Sequence, residues 1–398
     1  MPTVVVIGGG PAGLAAAIVL ARQGVPTCLI ERRSFPIDKP CGEGLLPNGV
    51  RLLEGLGVGP ASLERVGTRL SGIRYVAPSG LTAEGRFPTG HGLGLRRVHL
   101  SSLLFEAAQR QRSLEVISGE AARLSPAASG FQVDVAGRRL TPRLVVLADG
   151  LGSAAATSVG LGTVTRRPGR WGARQHFAGD PWTDCVEVHF SPGCEVYVTP
   201  VDEGVNVAVL WAADRAGWPP GAAVIDSALA RFPRLERQLR GRATTDRASA
   251  AGPFHREPVD VVRRGLVLMG DAAGYVDPLT GEGVGLALMQ AAIFEDLVAR
   301  PLARQGNRKE PVAKGALEPY VRAVRRAGAP NHQLTRLLLG LSSRPAVVER
   351  VIRALRDDPG FFRHCLAVNM GERPLWRVPV WSLLRLPSML TRSVDGCS

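Results

Sequence analysis

The sequence predicts an α/β protein in which a parallel sheet is interrupted by an antiparallel sheet and followed by a helical C-terminal region. Apolar runs typical of buried parallel strands occur three times, at 3–7, 144–148 and 266–269. Between residues 170 and 211, hydrophobic residues alternate with other residues, which is the period of half-buried strands. Residues 285–300 and 316–357 have the pattern of helices. Together these patterns predict two domains and a helical end.

The composition is that of an ordinary globular protein. The chain has 398 residues, of which 45% are hydrophobic and 21% charged. No apolar stretch reaches the ~18 residues of a membrane helix, and the first strand begins directly after the N-terminus. The six cysteines form no C-x-x-C pair. We therefore expect a cytoplasmic protein with no transmembrane segment and no metal site.

The net charge of +14 is carried almost wholly by arginine, since the chain has only three lysines. Residues 301–398 hold 17 basic and 7 acidic side chains, which is +10 of the total. Such a surface could meet a membrane or an acidic carrier protein, and no nucleic-acid signature accompanies it. A compositional bias towards Arg, Ala, Gly and Pro throughout the chain is the other explanation.

A glycine-rich turn follows the first strand and opens a helix. Gly8, Gly10 and Gly13 fit the pattern G-x-G-x-x-G, in which the glycines allow a tight turn, a close approach to a pyrophosphate and tight helix packing. Glu31 stands 21 residues after Gly10, at the end of the next predicted strand, which follows this helix and begins at residue 25. An acid there accepts hydrogen bonds from a ribose and repels a 2′-phosphate. The turn therefore predicts FAD or NAD as the ligand, and NADP is disfavoured there.

Two later motifs favour FAD. Asp149-Gly150 closes one strand and Gly270-Asp271 closes another, and the segment 278–283 then reads Pro-Leu-Thr-Gly-Glu-Gly. In this order, the motifs resemble the flavoprotein family that includes para-hydroxybenzoate hydroxylase and geranylgeranyl reductase, over residues 1 to about 300. The resemblance implies a Rossmann-type FAD-binding domain with an inserted antiparallel-sheet substrate domain.

The resemblance also implies roles for individual residues. Asp271 corresponds to the acid that binds the flavin ribityl chain, residues 278–284 cover the isoalloxazine ring, and Arg97 corresponds to a cofactor-contacting arginine before a helix. The start of the helix after this turn would stabilise reduced, anionic flavin. The residues expected to contact FAD are Gly8, Gly10, Pro11, Ala12, Gly13, Glu31, Arg32, Arg33, Gly42, Arg97, Ala121, Asp149, Gly150, Gly270, Asp271, Gly281, Gly283 and Val284.

A second dinucleotide site competes with this interpretation. Gly150, Gly152 and Ala155 fit G-x-G-x-x-A after a strand, but no acid follows at the required distance, so we favour the Asp-Gly interpretation. The family usually has an arginine a few residues after Ser153, where this chain has three alanines at 154–156. We therefore assign no contact with a pyrophosphate or nicotinamide to residues 154–156.

The loop 39–47 bears on which reaction the flavin would catalyse. Its Pro-Cys-Gly core resembles the geranylgeranyl reductases, in which the loop lies over the flavin, and its Gly-Glu-x-x-x-Pro part resembles flavin-dependent halogenases. Halogenases need a lysine about thirty residues further on, and none lies between Lys39 and Lys309. Cys41 is either a catalytic thiol or a small packed side chain. Tyr197, from a segment resembling the reductases' cavity roof, and Pro278 are the other catalytic candidates.

Two chemistries remain open from the sequence. An NAD(P)H-dependent monooxygenase acting on an aromatic or lipophilic molecule is favoured, because that chemistry is common on this fold. The alternatives are an alkene reductase, which Cys41 favours, and a non-catalytic flavin-binding protein. The substrate could be free or carrier-bound. The predicted FAD-binding segments are 1–70, 96–165 and 255–300, the substrate segments are 71–95 and 166–254, and 301–398 is the basic helical region.

Overall fold

A computed structural model of the protein describes residues 2–164, 169–212, 223–306, 308–342 and 344–373. The strands are β1 Val4–Ile7, β2 Thr27–Glu31, β3 Gly44–Leu45, β4 Gly67–Leu70, β5 Gly72–Val76, β6 Thr82–Arg86, β7 Gly92–Leu95, β8 Leu114–Ser118, β9 Arg123–Pro126, β10 Phe131–Val135, β11 Arg138–Leu140, β12 Leu144–Leu147, β13 Thr163–Val164, β14 Arg170–Ala178, β15 Cys185–Ser191, β16 Cys194–Val201, β17 Gly204–Ala212, β18 Ser249–Ala251, β19 Glu257–Pro258, β20 Val262–Arg263 and β21 Leu266–Leu268. The helices are α1 Pro11–Arg22, α2 Pro47–Gly55, α3 Pro60–Val66, α4 Arg97–Gln109, α5 Ala154–Ser158, α6 Ala223–Leu229, α7 Pro233–Leu239, α8 Gly283–Phe294, α9 Arg300–Arg304, α10 Lys314–Ser342, α11 Pro345–Asp357 and α12 Pro359–Asn369.

The three predicted apolar strands are neighbours in one sheet of six strands, in the order β20-β21-β12-β1-β2-β8. All pairs are parallel except β20 with β21. The helix α1 joins β1 to β2, and all ten residues 12–21 of that helix are buried. Because the carboxyl ends of parallel strands meet at one edge, the loops after β1, β12 and β21 lie side by side. This is the Rossmann-type arrangement that the sequence predicts.

The inserted sheet has seven strands in the order β18-β14-β17-β16-β15-β5-β6. Its pairs are antiparallel except β15 with β5, which is parallel, so the sheet also takes in strands from before α4. Alternate side chains point to opposite faces. Val196 and Val198 pack with α6 and α7, whereas Tyr197 and Val188 pack with α11 and α12.

Two small differences separate the predicted helices from the observed ones. The interval 316–357 contains two helices, because Pro345 begins α11 after α10 has ended at Ser342. The interval 285–300 contains α8, then a π-helical turn over Glu295–Ala299, before α9 begins. In the described residues no helix is long and apolar enough to cross a membrane. Residues 374–398 of the predicted basic region lie outside the described residues, and the domain boundaries stay a prediction.

Candidate functional site

One cavity of about 840 Å³ lies at the carboxyl edge of the parallel sheet and extends along the seven-stranded sheet. Its volume is in the range of ligand pockets. Every residue that the sequence predicts to bind FAD or to be catalytic lines it, except Gly13. Both Gly8 and Gly150 line it, so the two competing glycine motifs face one cavity and form a single site.

The three glycines of the first turn have three different surroundings. Gly8 has a φ of +107°, and a Cβ there would lie 2.5 Å from the Ala148 carbonyl oxygen. A Cβ on Gly13 would lie 1.8 Å from the Gly8 carbonyl oxygen, so Gly13 serves packing beneath the cavity. A Cβ on Gly10 would meet nothing within 4 Å. The backbone at Gly10 is therefore open to the cavity at the N-terminus of α1, where free N–H groups favour an anion such as a pyrophosphate.

Glu31 is buried at the end of β2, and its carboxylate is already oriented by the backbone. Oε2 accepts a hydrogen bond from the Gly9 N–H at 2.5 Å, and Oε1 accepts one from the Arg33 N–H at 2.9 Å. Each carboxylate oxygen has a second acceptor position. Glu31 can therefore still accept hydrogen bonds from ribose hydroxyls.

Two aspartates stand at the ends of the neighbouring strands β12 and β21. Burial raises the pKa of Asp149, and its Oδ1 atom is buried with no hydrogen-bond partner among the described residues. Asp271 lies in the turn after β21, and the Lys39 ammonium donates to its Oδ2 at 2.9 Å. An unpartnered acceptor at the cavity wall fits a ligand that brings hydroxyl donors, as the ribityl chain and ribose of FAD do.

The turn after β21 leads into α8 with its helix N-terminus at the cavity. Gly281 has a φ of +69°, and Gly283 begins the helix. Glu282 precedes Gly283, and burial raises its pKa to about 8. Only Asn48 donates to its Oε2 among the described residues, at 3.4 Å. The carboxyl is thus largely protonated at neutral pH, which leaves the positive end of the helix uncompensated.

Tyr197 and Pro278 support this turn. The Tyr197 hydroxyl donates to the Leu279 carbonyl oxygen at 2.8 Å, and burial raises its pKa well above the ordinary value. Pro278 begins a 3-10 turn, and the Asp277 side chain accepts from the Leu279 N–H at 3.0 Å. The phenol is therefore engaged with the backbone and joins the seven-stranded sheet to the turn that carries Pro278.

Cys41 is half-buried and lines the same cavity. Its sulfur accepts a hydrogen bond from the Glu43 N–H at 3.4 Å. Arg97, the first residue of α4, is buried and donates its backbone N–H to Glu43 Oε1 at 2.7 Å. Glu43, with a φ of 60°, was not assigned a role from the sequence, although it follows the Cys-Gly pair directly.

The far part of the cavity is apolar. The Phe362 ring, 1% exposed, stacks on Tyr75 with ring centroids 5.1 Å apart. Cys365 also faces this part, and burial raises its pKa to about 12. Besides the polar Asn369, the C-terminal helices contribute to the cavity wall Leu334, Leu337, Leu338, Leu341, Val351, Leu355, Phe361, Phe362, Cys365 and Leu366.

The sequence predictions assign no cavity residue to the C-terminal region, for which they give only helices and a basic charge. The signal was present in α10, where leucines stand at positions 334, 337, 338 and 341, the spacing of one helix face. The region that the sequence marks as basic thus also supplies apolar side chains to the cavity.

Comparison with known proteins decides the family. The model of a family described as "FAD binding domain" matches residues 1–309. The chain belongs to this family. It is therefore a FAD-dependent oxidoreductase by family, and the glycine turn, Glu31 and the aspartates at the strand ends are the elements of this structure that fit FAD.

Curated relatives include reductases. A menaquinone reductase of Mycobacterium tuberculosis is 29% identical over 326 residues, which cover 76% of this chain and 78% of the relative. A digeranylgeranylglycerophospholipid reductase of Methanothermobacter thermautotrophicus is 28% identical over 325 residues, with 76% and 78% covered. The FAD-binding family is thus shown, and the resemblance to geranylgeranyl reductases inferred from the motifs is confirmed.

Solved structures share the fold. A flavoprotein/dehydrogenase from Cytophaga hutchinsonii is 18% identical with a TM-score of 0.78, covering 93% of this chain and 92% of that one. The flavin-dependent brominase Bmp2 is 16% identical with a TM-score of 0.78, covering 97% and 98%. At such identities the likeness establishes the flavoprotein fold and not the chemistry.

Proposed function

We propose that this protein is a FAD-dependent reductase that saturates a carbon–carbon double bond in a polyprenyl-type lipophilic molecule. The observation that carries the proposal is the continuity of the cavity. One end presents the glycine turn, Glu31 and Asp271, and the other end is walled by apolar side chains of α10, α11 and α12. We call the first of these the flavin end and the second the apolar end. A long apolar substrate would fit along the apolar end with one segment beside the flavin end. The two reductase relatives support the same class of substrate.

The residues at the polar end would hold the cofactor. The turn at Gly10 would receive the pyrophosphate, Glu31 the ribose, and Asp149 and Asp271 the hydroxyl-bearing chain. Arg97 lies in the same wall, with Arg32, Arg33, Gly42, Ala121 and Val284. When bound, FAD would supply a hydride equivalent, and NAD(P)H is the proposed reductant of the flavin. The protein's own contribution is to orient the double bond and to exclude water.

Reduction of an alkene also needs a proton at the second carbon. Cys41 is the proposed donor, because its thiol lines the cavity and Tyr197 is engaged with the Leu279 carbonyl. The Glu43 N–H that donates to the Cys41 sulfur would stabilise the thiolate left after proton transfer. General-acid assistance of this kind contributes about 10²–10⁴ in rate.

Monooxygenation, which the sequence alone favours, is the second candidate. The polar end of the cavity suits it equally, since both chemistries use FAD and NAD(P)H, and the engaged Tyr197 hydroxyl suits a reaction that needs no acid. Monooxygenation, however, gives the Cys41 thiol no catalytic role. Delivery of a carrier-bound substrate or contact with a membrane surface through the basic residues of 301–398 is compatible with either chemistry.

The test is the mass of the product. Purified holoprotein is reduced without oxygen by NAD(P)H or dithionite and incubated with geranylgeraniol, which has no quinone ring to reduce, and the mass of the lipid is measured by mass spectrometry. The proposal predicts a gain of two hydrogens, and Cys41→Ser is expected to abolish it while flavin reduction continues. Cys185→Ser, a buried thiol outside the cavity, is the control. A gain of one oxygen under air, with Cys41→Ser still active, would establish the monooxygenase instead.

A further inference from the structure

Three side chains of the seven-stranded sheet contact three consecutive residues of the loop that carries Cys41. We call residues 41–43 the cysteine loop. The Asn206 side-chain amide donates to the Cys41 carbonyl oxygen at 2.8 Å, and the Thr199 hydroxyl donates to the Gly42 carbonyl oxygen at 2.7 Å. His176 Nε2 lies 2.6 Å from Glu43 Oε2. The loop is thus held by side chains that are distant in sequence.

The sheet register explains why these side chains act together. Asn206 on β17 is directly opposite His176 on β14 and also opposite Thr199 on β16. The three residues therefore form one row across three strands, on the face that looks towards the cavity. They are exposed by 3%, 1% and 0% for His176, Thr199 and Asn206. Buried polar side chains need partners, and the cysteine loop supplies one to each of the three, although the Asn206 Oδ1 atom has none among the described residues.

Charged groups fix the end of the row at His176. Its Nδ1 lies 2.8 Å from Asp246 Oδ2, so carboxylates face both ring nitrogens. Arg174, two residues earlier on the same face, contacts Nδ1 at 3.1 Å and is ion-paired with Asp246 and with Asp38. Asp38 precedes the cysteine loop in the chain, so the same network anchors the loop's approach.

The geometry points to His176, Thr199 and Asn206 as positioning residues, which set the place of the Cys41 thiol by fixing the cysteine loop against the sheet. The consequence for catalysis rests on the proposed function. The positioning itself does not, because the contacts concern the protein alone. Loss of one of them should loosen the loop, expose the thiol more often and, in a reductase, misplace the proton donor without altering the apolar wall.

The experiment measures how fast iodoacetamide alkylates Cys41 in FAD-loaded protein, followed by mass spectrometry of the peptide that contains it. Thr199→Val keeps the shape of the side chain and removes the donor, whereas Thr199→Ser keeps the hydroxyl. We expect about a tenfold faster reaction in Thr199→Val and His176→Asn, the effect of losing one buried hydrogen bond, and the wild-type rate in Thr199→Ser.

His189→Asn is the matched control. His189 is also buried in this sheet, and among the described residues its ring contacts the buried Glu187 carboxylate at 3.1 Å and the Phe232 ring rather than the cysteine loop. In His189→Asn the rate of Cys41 alkylation should stay within about twofold of the wild-type rate, a smaller change than the tenfold expected for a lost buried hydrogen bond. If His176→Asn does not fold, the Thr199→Val and Thr199→Ser pair decides alone.

Alkylation at the wild-type rate in folded Thr199→Val overturns the inference. Where product formation can be followed, the same variant should lower kcat and leave KM for the lipid unchanged. Faster alkylation together with an oxygenated product would support the positioning role and refute the reductase. Failure of the positioning inference can thus be told apart from failure of the proposed function.

Discussion

The two ends of the cavity are built in different ways. The flavin end consists largely of backbone turns that directly follow β1, β12 and β21, so its geometry is imposed by a parallel sheet and by Gly8 and Gly13, where a Cβ would collide with a backbone carbonyl oxygen. The apolar end consists of side chains from α10, α11 and α12 that reach the cavity by packing against the seven-stranded sheet. The backbone of the flavin end therefore tolerates few substitutions, whereas the apolar end needs only side chains of suitable volume and polarity.

The largest effect is expected at the apolar end, where Phe362→Ala removes a fully buried ring that packs on Tyr75 and over Gly85. We expect a loss of about 3–5 kcal/mol in the free energy of unfolding, because the cavity left behind adds to the lost burial. Denaturant unfolding measures it. FAD affinity should change far less than stability. Phe361→Ala, which removes a partly exposed neighbour, is the control, and an equal loss there would contradict a special role for the Phe362 packing.

At the flavin end, Gly10→Val should yield folded but colourless protein. Gly10 has an extended backbone with a φ of −71° that valine adopts, and its side chain would project into open cavity rather than into protein. FAD affinity should fall about a hundredfold or more, equivalent to ~2.7 kcal/mol.

Gly59 provides the control, because it also precedes a proline at a helix start, with a φ of −67° and no atom within 4 Å of a Cβ. Gly59→Val should stay yellow. A yellow Gly10→Val would show that the pyrophosphate does not lie at this turn.

Glu31→Ala should weaken FAD retention by about 1–3 kcal/mol, through the lost ribose contacts and through release of the Gly9 and Arg33 N–H groups. A fluorescence titration of apoprotein with FAD gives the dissociation constant. Glu115→Ala, which removes an exposed carboxylate on β8 of the same sheet, should leave it unchanged. Equal constants for the two variants would remove Glu31 from the ribose site.

The smallest effect concerns Glu282. Burial raises its pKa to about 8, so the folded protein keeps the proton that the unfolded chain loses above pH ~4.5. The contribution of Glu282 to stability is therefore fully present below pH 4.5 and is lost as the pH rises to 8, so that between pH 5 and pH 6 it falls by about 1 kcal/mol. Glu282→Gln should lack this fall, so thermal melts at pH 5 and pH 6 should separate the two proteins. Parallel pH profiles would show that Glu282 ionises normally.

The residues that the sequence assigns to FAD come together in one cavity, and the sequence could single them out because each feature is local. The turn at Gly8, Gly10 and Gly13 is a constraint on adjacent backbone, and the position of Glu31 follows from the length of one strand-helix-strand unit. The contact of Glu43 with His176 joins residues 133 apart in the chain and leaves no local pattern. The parallel pairing of β5 with β15 and the stack of Phe362 on Tyr75 are likewise products of tertiary packing.

Whether one cavity joins the flavin end to the apolar end can be measured in the absorption spectrum of the flavin itself. Holoprotein is titrated with geranylgeraniol, and the visible absorption is recorded for wild type, Leu338→Arg in the apolar wall and Gln333→Arg on the exposed face of α10. We expect a saturable spectral change in wild type and in Gln333→Arg. We expect none in Leu338→Arg, which should remain yellow, because a charge in the apolar wall disfavours the lipid. An unchanged spectrum in wild type, or the same saturation in Leu338→Arg, would contradict a cavity that joins the two ends.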